Sequence, residues 1–105
     1  LSTNPPADPA TQARRLFLVL TGLPPTPEEL AAFVAEASTD PGAYERLVDR
    51  LLGSEPYRSR HAEHLASLWL DAGRYADTSG IHMDARRPAS AWRDLLLRAL
   101  RDDLP

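Results

Sequence analysis

The sequence of 105 residues has no cysteine and no lysine, and no apolar run in it approaches the length of a membrane span. Without cysteine the chain forms no disulfide, no thiolate nucleophile, no zinc–cysteine site and no Cys-x-x-Cys-His attachment to haem. All twelve basic side chains are arginine, and the formal net charge of −3 provides no basic excess for a phosphate backbone. We therefore expect no nucleic-acid partner, no membrane span and no cofactor in this chain.

The remaining composition is that of one ordinary folded domain. Hydrophobic residues make up 43% and charged residues 26% of the chain, which argues against a disordered or low-complexity class. The loose, proline-containing opening predicts a flexible entry segment over residues 1–7, followed by a helical domain over residues 8–105. Since the chain begins at Leu1 without methionine, we expect it to be the truncated N-terminal part of a larger domain.

A rigid corner between two helices organises the first third of the chain. Gly22 is typical of the left-handed residue that ends a helix, and the prolines at positions 24, 25 and 27 prevent the helix from continuing. Thr26 and Glu29 have the spacing of a capping box, in which each side chain binds the other residue's backbone N–H. We predict that the first helix, capped by Asp8, ends at this corner and that the second runs over 27–37.

Apolar residues spaced three and four apart predict five helices in all. The first helix should bury an apolar stripe, which Leu18 and Val19 are predicted to widen. The third is predicted to begin after Asp40 and to end at Gly53. The fourth and longest is predicted to begin after Ser54, as its cap, and to run to about residue 75.

The fifth helix is predicted to begin near Ser90 and to bury an apolar face formed by Trp92, Leu95, Leu96, Ala99 and Leu100. Between the fourth and fifth helices the periodicity fails over 76–89, and long irregular segments of this kind are often functional. No strand-like alternation occurs. We therefore expect an all-α fold of about five helices, arranged as an orthogonal array or irregular bundle with one long ordered loop at 76–89.

Two histidines of the fourth helix, His61 and His64, have a spacing that places both imidazoles on one face, where they could hold a metal ion. A zinc site would need a third ligand, for which His82 and Asp84 are the candidates. Alternatively, both rings pack on the apolar stripe and bond to backbone groups. Because a third and fourth ligand are not evident, we expect no metal site.

Two further ligand patterns in the loop are weak. The segment 77–84 is loosely similar to a calcium loop, but the position of the bidentate glutamate falls on Pro88. Calcium held in another geometry stays open as an alternative. Met83 could ligate haem together with a histidine, yet a lone methionine is more often a packing residue.

A cluster of acidic and basic residues around this loop permits two interpretations. Carboxylates beside arginines can act in general acid–base chemistry on a sugar or ester, with Asp71, Asp77 and Asp84 as the acids. Arg74 would then orient an anionic group. In the other interpretation, which we favour, the side chains form an ion-pair and capping network that holds the loop against the helices. The cluster comprises Asp71, Arg74, Tyr75, Asp77, Asp84, Arg86, Arg87, Arg93 and Asp94.

Four segments, read together, resemble a known family. They are residues 14–29, which end in the motif LTGLPPTPEE, residues 44–52, residues 69–80, which contain RYAD, and residues 93–105. In order and rough spacing they resemble the domain of unknown function that accompanies planctomycete cytochrome c domains. The resemblance covers nearly the whole chain from Arg14 onward.

This resemblance implies a large exported multidomain protein, periplasmic or at the cell surface, with a haem-binding cytochrome c domain before this one and further sequence beyond Pro105. Carbohydrate-binding modules that neighbour such domains make a polysaccharide a further candidate partner. Trp92 stands where the family usually has tyrosine, and Gly73 where it usually has alanine. The residues that match the family pattern are Trp69, Asp71, Arg74, Asp77, Gly80, Arg93, Asp94 and Asp103.

We interpret the chain as a helical module with a scaffold or interaction role that is not catalytic by itself. The alternative is one part of a carbohydrate-active or redox-coupled catalytic site that uses Asp71, Asp77 and Asp84. The expected partners are other domains of the same polypeptide, such as the cytochrome c domain. The predicted binding or structural residues are Trp69, Asp71, Arg74, Tyr75, Asp77, Arg93 and Asp94.

Overall fold

The computed structural model describes residues 4–80, 86 and 88–104. Its helices are α1 (Pro9–Thr21), α2 (Pro27–Ala37), α3 (Ala43–Gly53), α4 (Tyr57–Ala72) and α5 (Ser90–Arg101). The described residues contain no strand, although Thr78 and Arg86 form an isolated antiparallel bridge. The all-α prediction is confirmed. None of the described helices is long and apolar enough to span a membrane.

Helix α1 is the centre of the packed part of the fold, because it contacts α2, α3 and α4. Its buried stripe faces the buried side chains of α2 and α3, and Leu51 of α3 is fully buried. Leu20, Leu30, Val48 and Tyr57 pack around this cluster. The core comprises Ala13, Leu16, Phe17, Phe33, Ala43, Leu47 and Leu51.

The predicted caps of α1 and α2 are confirmed. The Asp8 side chain accepts the Thr11 backbone N–H at 3.0 Å. Gly22 has a φ of 69°, and its N–H donates to the Leu18 carbonyl at 3.0 Å. Thr26 and Glu29 form the full capping box, with bonds of 3.2 Å and 2.8 Å. Local sequence chemistry is therefore enough to place this corner.

The predicted end of α3 at Gly53 is confirmed, but the predicted start of α3 and both predicted boundaries of α4 are wrong by two or three residues. Asp40 lies in a turn before α3, where its carboxylate accepts the Gly42 N–H at 2.7 Å, and the helix begins at Ala43. Ser54 ends α3 instead of capping α4, because its N–H donates to the Arg50 carbonyl at 3.0 Å. Helix α4 ends at Ala72 and not near residue 75, since the following turn contains a left-handed residue at Arg74.

The predicted burial on two helices is also wrong. Leu18 and Val19 do not widen the buried stripe of α1, because they lie on the face that no described helix covers. In α5 no side chain is buried, although Trp92, Leu95, Leu96, Ala99 and Leu100 were expected to form a core face. The physical reason is that α5 packs along α4 and along no other described helix.

We call α5 together with the last turns of α4, from residue 68, the arm. Several large apolar side chains are exposed on it: Leu68 is 60%, Trp69 60% and Leu95 59% exposed, whereas Leu96, Leu97 and Leu100 are half-buried. The molecule measures 59 × 32 × 28 Å, and its radius of gyration of 18.2 Å exceeds the roughly 13 Å of a compact domain of about 100 residues. The fold is thus a four-helix core with an extended, partly apolar arm.

The C-terminal end of α5 is held against the beginning of α4. Arg58 Nε donates to the Arg101 carbonyl at 2.6 Å, and the Arg58 guanidinium pairs with Asp102 at 3.3 Å. Asp103 then has a positive φ of 50°, and the Leu104 N–H returns to the Ala99 carbonyl at 2.9 Å. The opposite end of the α4–α5 pair lies next to residues 73–80, and we call it the tip of the arm.

Candidate functional site

The two histidines proposed as metal ligands support the corner after α1. His61 Nδ1–H donates to the Leu20 carbonyl, with 2.7 Å between the nitrogen and the oxygen. The His64 ring lies against Gly22, so that a Cβ atom on Gly22 would be 2.6 Å from His64 Nδ1. Both imidazoles therefore contact the C-terminal end of α1, in agreement with the alternative that they pack and bond to backbone groups.

The described residues contain no group of three or more His, Cys, Asp or Glu side chains that could hold a metal ion. His82 and Asp84, the candidate third ligands, lie outside the described residues, as do Met83 and Arg87. For His61 the described contact uses one ring nitrogen for a backbone carbonyl, which orients the ring toward α1. The prediction that this chain holds no metal stays a prediction.

The turn that ends α4 is the most unusual backbone in the predicted polar cluster. Arg74 has a φ of 50°, its N–H donates to the Asp71 carbonyl at 3.0 Å, and the Tyr75 N–H donates to the Leu70 carbonyl at 2.9 Å. These two hydrogen bonds form the helix-ending pattern in which glycine normally occupies the left-handed position. Here the glycine, Gly73, stands one residue earlier, and an arginine adopts the strained conformation.

Aromatic rings line a small cleft beyond this turn. The Tyr75 and Trp92 rings are stacked, with centroids 5.9 Å apart and planes 26° from parallel. The Tyr75 hydroxyl donates to Asp77 Oδ1 at 2.5 Å. The space beside the rings has a volume of about 180 Å³. We call it the aromatic cleft, and it is lined by Gly73, Arg74, Tyr75, Ala76, Ala89 and Trp92.

The hydrogen bond to the Asp77 carboxylate raises the pKa of Tyr75 above its usual value of 10.0, because ionising the phenol would remove the donated proton beside a negative charge. Desolvation raises the pKa further, whereas the nearby charge of Arg93 lowers it. The phenol therefore remains a hydrogen-bond donor throughout the neutral range. Asp77 is in turn held as an acceptor beside Tyr75.

Three other members of the predicted cluster, Asp71, Arg93 and Asp94, lie on the arm. Arg93 pairs with its neighbour Asp94 at 3.4 Å, and both flank the first turn of α5. Asp71 is exposed, and no hydrogen bond or ion pair joins its side chain to another described residue. Asp84 lies outside the described residues. The structure thus places Asp77 beside Tyr75, which lines the cleft, and leaves the proposed set of three catalytic carboxylates untested.

Gly73 and Trp92, which both depart from the pattern of the resembled family, lie against each other. A Cβ atom on Gly73 would lie 2.8 Å from Trp92 Cη2, which is closer than carbon atoms approach. The φ of Gly73 is −78°, so its backbone would accept any residue and only the tryptophan requires glycine. The size of the ring at position 92 therefore limits the size of the residue at position 73.

We predict that Gly73→Ala destabilises the chain by about 1 kcal/mol, the size of a modest overpacking effect at a half-exposed site. Adding Trp92→Tyr should recover most of this loss, because the smaller ring leaves room for the methyl group. Thermal unfolding of the two single variants and the double variant gives the coupling energy. Additive losses would show that the two positions are independent.

A contact that sequence reasoning missed joins the corner to α4. The Tyr57 hydroxyl donates to Glu29 Oε1, and the Tyr57 ring meets Phe17 edge to face with centroids 5.9 Å apart. Glu29 therefore caps α2 and also binds the first residue of α4. The capping box was visible in the sequence, but its second partner is 28 residues away and left no signal.

Comparison with family models gives a match over residues 1–105 to a family described as PSCyt2, protein of unknown function (DUF1549). Searches of curated proteins and of solved structures found no match. The match covers the whole sequence, including the corner, the arm and the aromatic cleft. The chain therefore belongs to the PSCyt2 family of domains of unknown function, which is associated with planctomycete cytochrome c domains.

Proposed function

We propose that this chain is an interaction module of an exported multidomain protein and that its arm docks against another domain of the same polypeptide. The observation that supports this proposal is the burial pattern of α5, which has no buried side chain although it carries five large apolar residues. Leu68, Trp69 and Leu95 add mostly exposed apolar surface to the arm. Apolar surface of this kind is typical of interfaces.

The character of the arm favours a permanent partner over a transient one. An isolated helix of about a dozen residues is marginal in water, and most helices in proteins are stabilised by packing of an apolar face. Here α5 has such packing from α4 alone among the described helices. A partner on the same polypeptide would cover the face at high effective concentration, and permanent interfaces are the more apolar class. The cytochrome c domain implied by the resemblance is one candidate for this partner.

The catalytic alternative has less support. Asp77 accepts a hydrogen bond from Tyr75, and the exposed Asp71 has no side-chain partner among the described residues. A carbohydrate-active pair needs two carboxyl groups on either side of a bond to be cleaved. Among the residues that the structure describes, which do not include Asp84, no such arrangement supports a reaction, so we propose binding rather than catalysis for the chain by itself.

A matched pair of variants in the complete gene product tests the docking. Leu95→Gln places a polar amide on the arm, and Val19→Gln makes the same kind of change on the exposed face of α1, where the side chain is 69% exposed. Burying a leucine side chain contributes about 1.5–3 kcal/mol. If docking buries Leu95, the Leu95→Gln change should therefore weaken docking about 10-fold or more. The readout is the rate of tryptic cleavage at the arginines of α5 in the folded protein. Val19→Gln should leave that rate unchanged.

Equal cleavage rates for Leu95→Gln, Val19→Gln and the wild type would contradict the proposal. Sedimentation of the chain alone tests the other possible occupant of the arm, which is a second copy of the same chain. A wild-type dimer that Leu95→Gln dissociates would show that a second copy, and not another domain, covers the arm. Fractionation of the native host tests export, and protein found only in the cytoplasm would contradict that part of the proposal.

A further inference from the structure

We propose that the aromatic cleft at the tip of the arm binds a carboxylate carried on a ring with an apolar face. The inference shares Trp92 with arm docking, but its other residues line the cleft and do not include Leu68, Trp69 or Leu95. Three features carry it: a stacked aromatic wall, a cation at the rim that occupies a strained backbone position, and fixed polar groups beside the cation.

The cleft has the size and lining of a site for one ring. Its volume of about 180 Å³ is open on one side, and its walls are the Tyr75–Trp92 stack and the small side chains Ala76 and Ala89. Trp92 is 43% exposed despite the stack, so part of the indole remains available to a ligand. Small binding sites are typically apolar with a few polar groups that set orientation.

Arg74 supplies the cation, and its backbone indicates that the side chain has a role. An L-residue with a φ of 50° is strained, and glycine would occupy this position without that strain. Nothing in the described packing requires a side chain here, since Arg74 is exposed and makes no ion pair with another described residue. Strained residues of this kind cluster at ligand sites. A guanidinium binds a carboxylate through two parallel N–H bonds.

Two groups that lie beside Tyr75, outside the lining of the cleft itself, suit a ring that carries hydroxyls as well as a carboxylate. Asp77 is held as an acceptor by the Tyr75 hydroxyl at 2.5 Å. Arg93 is close enough for its charge to act on Tyr75, and its partner among the described residues is the adjacent Asp94 at 3.4 Å. An acidic sugar would use the aromatic wall, the cation and the acceptor, whereas an aromatic acid would use the first two.

The test titrates the chain with D-glucuronate, with benzoate and with D-glucose as the uncharged control. Binding is followed through the Trp92 indole N–H resonance, assigned by its loss in Trp92→Phe. From ligand size, glucuronate should bind with a Kd of about 1 mM and the smaller benzoate with a Kd of about 10 mM. We expect saturable binding of at least one acid and none of glucose.

Arg74→Gly and Asp103→Gly form a matched pair of variants. Each places glycine at a left-handed position with a φ of 50°, so each should raise Tm, by roughly 4 °C. Arg74→Gly should weaken binding of the acid at least about 10-fold, since it removes a bidentate ion pair. Asp103 lies at the other end of α5, and Asp103→Gly should bind as the wild type does. Because neither change is expected to unfold the chain, lost binding cannot be attributed to lost structure.

Binding of glucuronate but not benzoate would identify an acidic sugar as the ligand, and the reverse would identify an aromatic acid. Binding of both acids would show that the cleft recognises any carboxylate carried on a ring. The inference is overturned if neither acid binds with a Kd below about 50 mM, well above the values of about 1 to 10 mM expected from ligand size. It is also overturned if glucose binds as tightly as glucuronate, or if Arg74→Gly binds as the wild type does.

Discussion

Replacing Gly22 with alanine is expected to destabilise the chain by about 3 kcal/mol, the largest effect that we predict for a single methyl group. Two costs add. An L-residue at a φ of 69° is strained by roughly 1–2 kcal/mol. The new Cβ would also lie 2.6 Å from His64 Nδ1, so the His64 ring would have to move, at an overpacking cost of about 1–3 kcal/mol. Urea unfolding of the chain measures the sum.

Gly53→Ala is the matched control, because a Cβ at Gly53 meets no atom within 4 Å and its φ is not positive. We expect that variant to be neutral. The double variant Gly22→Ala, His64→Ala should recover the steric part of the loss but not the conformational part. A Gly22→Ala chain as stable as Gly53→Ala would show that the corner does not have the geometry described here.

The second large effect is expected at Glu29, whose replacement with alanine should cost about 2 kcal/mol. The change removes the bond to the Thr26 N–H and leaves the Tyr57 hydroxyl without its acceptor. Glu28→Ala is the matched control, since Glu28 lies beside Glu29 in the first turn of α2 but is exposed. Urea unfolding at neutral pH compares the two, and equal losses would contradict a special role for Glu29.

The same contact makes stability depend on pH in a predictable direction. Desolvation raises the pKa of Glu29, but the bonds from the Tyr57 hydroxyl and the Thr26 N–H outweigh it, so the pKa lies below its usual 4.5. A carboxyl whose pKa is lowered by folding stabilises the protein above the unfolded pKa, and this contribution is lost as the pH falls through the folded pKa. We expect Glu29→Gln to reduce the acid dependence of unfolding below pH about 4.5. An unchanged slope would contradict this.

At high pH the Tyr57 hydroxyl, which donates to Glu29, makes stability fall as the pH rises. The hydrogen bond to Glu29 and desolvation raise the pKa of Tyr57 above 10.0. A neutral acid whose pKa is raised by folding stabilises the protein below the unfolded pKa, and that contribution is lost as the pH rises through the folded pKa. Tyr57→Phe should therefore remove part of the alkaline loss of stability.

The parts of the fold that could be predicted from sequence depend on neighbours along the chain. Asp8, Gly22 and the Thr26–Glu29 pair cap helices through bonds that span three or four residues, so their spacing specifies the structure. The start of α3 was misplaced for a related reason. The carboxylate of Asp40 accepts an N–H two residues later in a turn, and a turn of that kind has the same residue types as a helix cap.

The burial of α5 could not be predicted, because periodicity shows which face of a helix is apolar and not what covers it. Trp92 and Leu95 have the spacing of a core face, yet they are 43% and 59% exposed. The stacking of Trp92 on Tyr75 and the close approach to Gly73 depend on how α5 returns along α4, which no local pattern specifies. Of the predicted cluster, sequence reasoning identified the residues but not the cleft they form.

Hydrogen exchange of the backbone amides in α5 tests the central claim, that the arm is an interaction surface, most directly. In the chain alone, α5 amides should exchange at least about 100-fold faster than those of α1, because α5 lacks buried side chains and packs along α4 alone among the described helices. In the complete gene product, α5 should gain protection that approaches that of α1. Equal protection of α5 and α1 in the chain alone, or no gain in the complete protein, would contradict the account.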